Sequence, residues 1–181
     1  WPRETLERLA AFCHSRGIIV ISDEIHCDMA LYGNRHIPFA SVSPEAAACS
    51  ITFGAPSKTF NIAGIVSSYS IVPNDELRRR FHEWMEANEM NAAPLFSPIA
   101  TIAAFRKGEE WRKQMLEYVE GNINFLTDYC REKMPEIKPL RPQASFLVWL
   151  DCRGLGLDHD QLVDLFINKA GLALNDGEMF N

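Results

Sequence analysis

Apolar positions alternate between helical and strand spacing along most of the chain. Leu6, Leu9, Ala10 and Cys13 make one face of a first helix, and Gly17 is placed to end it. The run Ile18-Ile19-Val20-Ile21 predicts a strand buried on both faces, as in a parallel sheet. A second strand is expected at about 50–53 and a third at 66–72. Asn74 should cap the next helix, with Asp75 and Glu76 in its first turn and Leu77, Phe81, Trp84 and Met85 as its buried stripe. Ser97-Pro98 opens a short helix carrying Ile99, Ile102 and Ala103. Residues 108–134 read as one long helix stopped by Pro135, with Trp111, Met115, Val119, Ile123, Leu126 and Cys130 on its apolar side. Such a helix would be on the order of 39 Å long. A strand at 145–150 follows, then a helix opened by Asp158 that buries Leu162, Val163 and Phe166 and closes at Gly171. A short strand at 172–174 precedes the Asp176-Gly177 turn.

Helices alternating with short apolar strands predict an α/β fold. With 181 residues and 47% hydrophobic content, the chain can bury a core in one or two domains. Its net charge of −6 argues against a nucleic-acid or anionic-membrane surface. The triplet Arg78-Arg79-Arg80 reads as a solvated helix face. No apolar run approaches the roughly 20 residues of a membrane span, and neither end resembles a signal peptide. Five cysteines, an odd number without a CxxC pair, fit a reduced, cytoplasmic setting. A first helix running straight into a strand is half of a βαβ unit whose first strand is absent.

Two stretches carry candidate chemistry. In Gly54-Ala55-Pro56-Ser57-Lys58-Thr59-Phe60-Asn61, small residues leave room beside a single lysine at a point where regular structure breaks. An amine held against apolar walls resists protonation and can act as nucleophile or base; the plain alternative is a solvated loop lysine. Upstream, Ser22-Asp23-Glu24-Ile25-His26-Cys27-Asp28 puts adjacent acids at the carboxyl end of a strand, where open α/β sheets bind ligands. Either acid could instead cap the next turn. A lysine and an acid on neighbouring strand ends suit pyridoxal 5'-phosphate, which needs an amine for its aldehyde and a carboxylate for its ring nitrogen.

Ser22-Asp23-Glu24-Ile25-His26 followed by Ala55-Pro56-Ser57-Lys58-Thr59-Phe60-Asn61 resembles the class I/II aminotransferase superfamily of pyridoxal-phosphate enzymes. The resemblance is greatest to its MalY/PatB-like cystathionine β-lyase (C–S lyase) branch. Supporting matches are Ile37-Pro38-Phe39-Ala40-Ser41, Gly108-Glu109-Glu110-Trp111, Leu147-Val148-Trp149-Leu150-Asp151 and Lys169-Ala170-Gly171-Leu172-Ala173-Leu174-Asn175. They run in the family's order over nearly the whole chain.

The resemblance implies part of a fold type I large domain with a mixed, mainly parallel sheet over 1–107. The interdomain helix and part of a small α+β C-terminal domain would follow over 108–181. It implies Lys58 as covalent anchor of the cofactor and as the base for the substrate α-proton. Asp23 would partner the pyridine nitrogen, Ser57 would reach the phosphate, and His26 would lie near the ring hydroxyl. Read on residue type alone, Ser57 serves equally as a turn serine and His26 as a structural histidine. Aminotransferases of the wider superfamily often carry a phosphate-binding arginine eight residues past the lysine, where this chain has Val66, and Ala55 replaces a hydroxyl residue found in many of them. The implied substrate is a small amino acid and the implied assembly a homodimer, with the isolated chain inactive. C–S lyase chemistry is the first expectation and transamination the second. A metal site on Asp23, Glu24, His26, Cys27 and Asp28 lacks standard zinc spacing. A non-catalytic interaction module is the remaining alternative, and it would use exposed apolar surface.

Overall fold

A computed structural model describes residues 1–180. Helix α1 (Arg3–Ser15) buries Leu6, Ala10 and Cys13, while Leu9 is left on the rim. It ends where Gly17 adopts φ +65° and Ile18 N–H donates to the Cys13 carbonyl at 2.9 Å. The chain then enters β1 (Val20–Asp23), which lies parallel to β2 (Ser50–Gly54). Between them α2 (Pro44–Ala48) starts under a Ser43 cap, its Oγ accepting from Ala46 N–H at 3.2 Å. This helix, missed in the sequence pattern, makes one side of the core. Leu6, Ala10, Phe39, Val42 and Ala46 pack together with Val20 and Ile37 against them. Burying a side chain the size of Leu6 or Phe39 contributes roughly 1.5–3 kcal/mol.

Strand β3 (Tyr69–Ile71) pairs antiparallel with β2, giving a mixed sheet in the order β1-β2-β3. The α/β class holds. β3 is shorter than the pattern suggested because Val66 follows a 3₁₀ turn at φ +52°, a left-handed residue that cannot enter a ladder. Nor is β1 buried on both faces: Ile21 is 68% exposed, and Ile18 and Ile19 are also exposed. β1 is an edge strand, covered by α1 and α2 on the Val20 side only. On the other side, Phe81 of α3 (Asp75–Ala87) meets Phe53 of β2 with ring centroids 5.9 Å apart. That leaves α3 partly buried at Leu77, Phe81 and Met85, and Trp84 is exposed. Its Asn74 cap forms as expected, with Oδ1 accepting from Leu77 N–H at 2.9 Å.

Helices α4 (Ser97–Lys107) and α5 (Glu109–Lys133) follow. Glu109 and Glu110 in the first turn of α5, and Arg131 and Lys133 in its last, complement the helix dipole. The chain divides into two compact units. One comprises Trp1–Gly121 with Pro142–Leu147, the other Asn122–Arg141 with the residues from Val148 onward. In the second unit, β4 (Lys138–Leu140) and β5 (Trp149–Asp151) pair antiparallel. β4 holds Pro139, which hid it from the strand pattern. Helix α6 (His159–Asp164) begins with a full capping box between Asp158 and Gln161 and continues as a π turn, Leu165–Lys169. Gly171, at φ +68°, closes it, and Leu162, Val163 and Phe166 are half-buried rather than buried. Residues 172–174 form no strand.

Candidate cofactor site

The carboxyl end of β1 carries the first cluster. Asp23 stands opposite Phe53 in the parallel ladder and is exposed; its Oδ1 accepts from Ile25 N–H at 3.2 Å, making a local turn. Glu24 extends the ladder by donating its N–H to the Phe53 carbonyl at 2.8 Å, then turns its side chain inward. His26 is half-buried, with Nδ1 at 3.2 Å from Ser145 Oγ and its ring 5.7 Å from that of Phe146.

The second cluster leaves β2. The Pro56 carbonyl accepts from Phe60 N–H at 2.9 Å and the Ser57 carbonyl from Ile62 N–H at 3.0 Å, so the lysine rides on a compact turn. Ala55, Pro56 and Thr59 face inward, Ser57 is half-buried and Lys58 faces out. The expectation of an amine held against apolar walls is therefore not met: the apolar side of this turn packs inward and carries Lys58 on its back. Phe60 anchors the turn against Phe105 and Trp111, at centroid distances of 5.5 and 6.1 Å. Gly54 leaves room for the Tyr69 ring where β2 ends: a Cβ there would lie 2.5 Å from its hydroxyl end.

Adjacent parallel strands thus present Asp23 and the Lys58 turn at the same sheet edge. Their charges meet at His26. Burial, then the Lys58 ammonium, push its pKa below the ordinary histidine value, and the Asp23 carboxylate partly opposes them. An exposed amine, a carboxylate, an imidazole and the Ser57 hydroxyl are the donor set that pyridoxal 5'-phosphate requires, so the residues fit that group. Val66, eight residues past Lys58, is 67% exposed and offers no cation.

The family model described as "Aminotransferase class I and II" matches residues 1–181. The chain belongs to that family. It is 38% identical over 180 residues to cystathionine beta-lyase PatB of Bacillus subtilis, covering 99% of this chain and 46% of PatB. Among solved structures, cystalysin from Treponema denticola, which contains pyridoxal 5'-phosphate, superposes with a TM-score of 0.95. It is 29% identical, covering 100% of this chain and 46% of that one. The PLP-bound C–S lyase from Staphylococcus hominis gives a TM-score of 0.85 at 34% identity, covering 99% and 46%. The chain spans about half the length of the curated relatives it matches. No described helix is long and apolar enough to cross a membrane.

Within this family frame, several nearby groups take other roles. The Cys27 thiol is pushed up to about 11, by burial first and then by Asp28 and Glu24, which makes it a poor nucleophile. Among the described residues, no group of three or more His, Cys, Asp or Glu side chains is placed to hold a metal ion. A cavity of about 370 Å³ takes in Glu24, His36, Ser41, Thr52 and Tyr69 but not Asp23, His26 or Lys58, so it is separate from the amine and carboxylate. The sequence reading missed Glu24 as a buried hub, and missed His36 and Ser145. The Glu24–His36 spacing carried no motif, and Ser145 lies 119 positions from the histidine it meets.

Proposed function

We propose that the whole protein is a pyridoxal-phosphate-dependent C–S β-lyase, releasing pyruvate, ammonia and a thiol from cysteine S-conjugates. The observation that carries this reading is the parallel pairing of β1 with β2, which sets Asp23 opposite Phe53 and brings the Lys58 turn out of the neighbouring strand end. The similarity to PatB and to the Staphylococcus hominis C–S lyase supports it.

Lys58 would anchor the cofactor aldehyde, Asp23 would keep a proton on the ring nitrogen, Ser57 would donate to the phosphate, and His26 would lie beside the ring hydroxyl. When bound, the cofactor supplies an electron sink for the pair left at the substrate Cα. Lys58, as free amine, would take the α-proton, and as ammonium it would return a proton to the thiolate that leaves Cβ with the C–S electron pair. The enamine released hydrolyses to pyruvate and ammonia.

Transamination is the second reading, favoured by the aminotransferase family model that matches the whole chain. Incubating the whole protein with cystathionine, and separately with an amino donor and a keto acid, decides between them. Pyruvate and thiol release supports the lyase; keto-acid exchange without thiol release sinks it. Borohydride treatment should leave a pyridoxyl group on Lys58, found by peptide mass spectrometry.

The finer organisation belongs to the same proposal. Residues 1–107 would be part of the cofactor domain, and 108–181 the interdomain helix with part of the small domain. A homodimer in a reducing cytoplasm completes the reading, on the family resemblance and on five cysteines without a CxxC pair.

A further inference from the structure

Among the described residues, Glu24 is the only charged one that is buried, at 8% exposure. A buried carboxylate is costly unless its oxygens are well bonded. Here Oε1 accepts from Ser22 Oγ at 3.0 Å and from Phe39 N–H at 2.9 Å, and Oε2 accepts from His36 Nε2 at 2.7 Å. The donors come from both sides: Ser22 from β1, His36 and Phe39 from the crossover that returns to β2. Asp23 lies between two members of this network, Ser22 and Glu24, and His26 follows two residues on. Asp23's side-chain bond to Ile25 N–H is local, while its backbone is held in the ladder opposite Phe53. Residues 23–26 leave the ladder at this knot, where Glu24 N–H bonds the Phe53 carbonyl and His26 reaches Ser145.

We propose that Glu24 and His36 form a positioning pair, which fixes the aim of Asp23 and His26 toward the Lys58 turn. This rests on the reading of Asp23 and Lys58 as cofactor residues. The His36 N–H is the part that can be changed alone, since Ser22 and Phe39 still bond Glu24 when it is lost.

The test compares His36→Ala, which removes the donor, with His36→Gln, which keeps one, in the whole protein. Two quantities are read: pyridoxal 5'-phosphate affinity by absorbance titration, and the titration midpoint of the His26 ring by NMR. Losing one donor to a buried carboxylate should weaken cofactor binding about tenfold in His36→Ala and move the His26 midpoint up toward the ordinary value. His36→Gln should restore both. Unchanged affinity and midpoint in His36→Ala overturn the proposal, and so does equal damage in the two variants. Should His36→Ala fail to fold, His36→Leu, which fills the ring's place without a donor, is read instead: weakened affinity with a shifted midpoint supports the pair, and wild-type values overturn it. If borohydride leaves no pyridoxyl group on Lys58 of the wild type, the cofactor reading fails, and the His26 midpoint alone then decides the positioning role.

Discussion

Nδ1 of His26 lies 3.2 Å from Oγ of Ser145, joining positions 119 residues apart. The contact is delivered by backbone pairing. Ser145 N–H donates to the Met29 carbonyl and Leu31 N–H to that of Gln143, both at 2.9 Å, while Ala30 bridges Ala144. Segment 142–147 thus runs beside 29–31 and returns a hydroxyl to the candidate site. Ser145 adopts φ +72° to do so.

Ser145→Ala should therefore cost about 1 kcal/mol, the usual net value of one hydrogen bond. Ser145→Gly loses the same hydroxyl but relieves the left-handed backbone, so it should be no less stable than the alanine variant. Urea unfolding of the two variants checks the order. An alanine variant more stable than the glycine one would show that backbone strain is not the deciding factor.

His26 reports the charge balance of the site. Removing the ammonium in Lys58→Met should raise its titration midpoint toward the ordinary 6.5, and removing the carboxylate in Asp23→Asn should lower it further. Because the folded value lies below the unfolded one, the stability contributed by neutral His26 is present above pH 6.5. It is lost as pH falls from there through the folded value. NMR titration of the ring gives the midpoints, and the pH dependence of urea midpoints gives the slope, which His26→Gln should flatten.

Gly54→Ala forces a methyl group to 2.5 Å from the Tyr69 ring, at the point where β2 hands over to the lysine turn. Overpacking of this kind costs typically about 1–3 kcal/mol. Pairing it with Tyr69→Ala removes the clash, so a thermal-melt cycle should show the double variant losing less than the sum of the two. Strict additivity would mean that the ring moves aside at no cost.

Asp158→Ala should destabilise the second unit by about 1 kcal/mol. Its Oδ1 accepts from Gln161 N–H at 2.9 Å, and the Gln161 side chain returns a bond to Asp158 N–H at 3.1 Å. Asp158→Asn keeps an acceptor and should recover most of the loss in hydrogen-exchange protection of α6.

Capping and spacing signals were legible wherever the physics is local. Asn74, Asp158, Gly17 and Gly171 begin or end helices as their chemistry dictates, and α5 spans Glu109–Lys133 almost as its apolar period implies. The acid-bearing strand end and the lysine turn could be placed for the same reason: a strand exit and a Gly-Ala-Pro-Ser turn are short-range features. The burial of β1 was not legible. Whether Ile21 is covered depends on which element lies over its face, and β1 is an edge strand with cover on one side.

What the residues decided alone is where the capped helices begin and end and which amine and carboxylate are candidates, because propensity and capping act over a few positions. The tertiary structure decided which groups meet: Glu24 with His36, and His26 with Ser145. Those encounters depend on strand register and crossover path, which are set by burial over the whole sheet rather than by any local run of side chains.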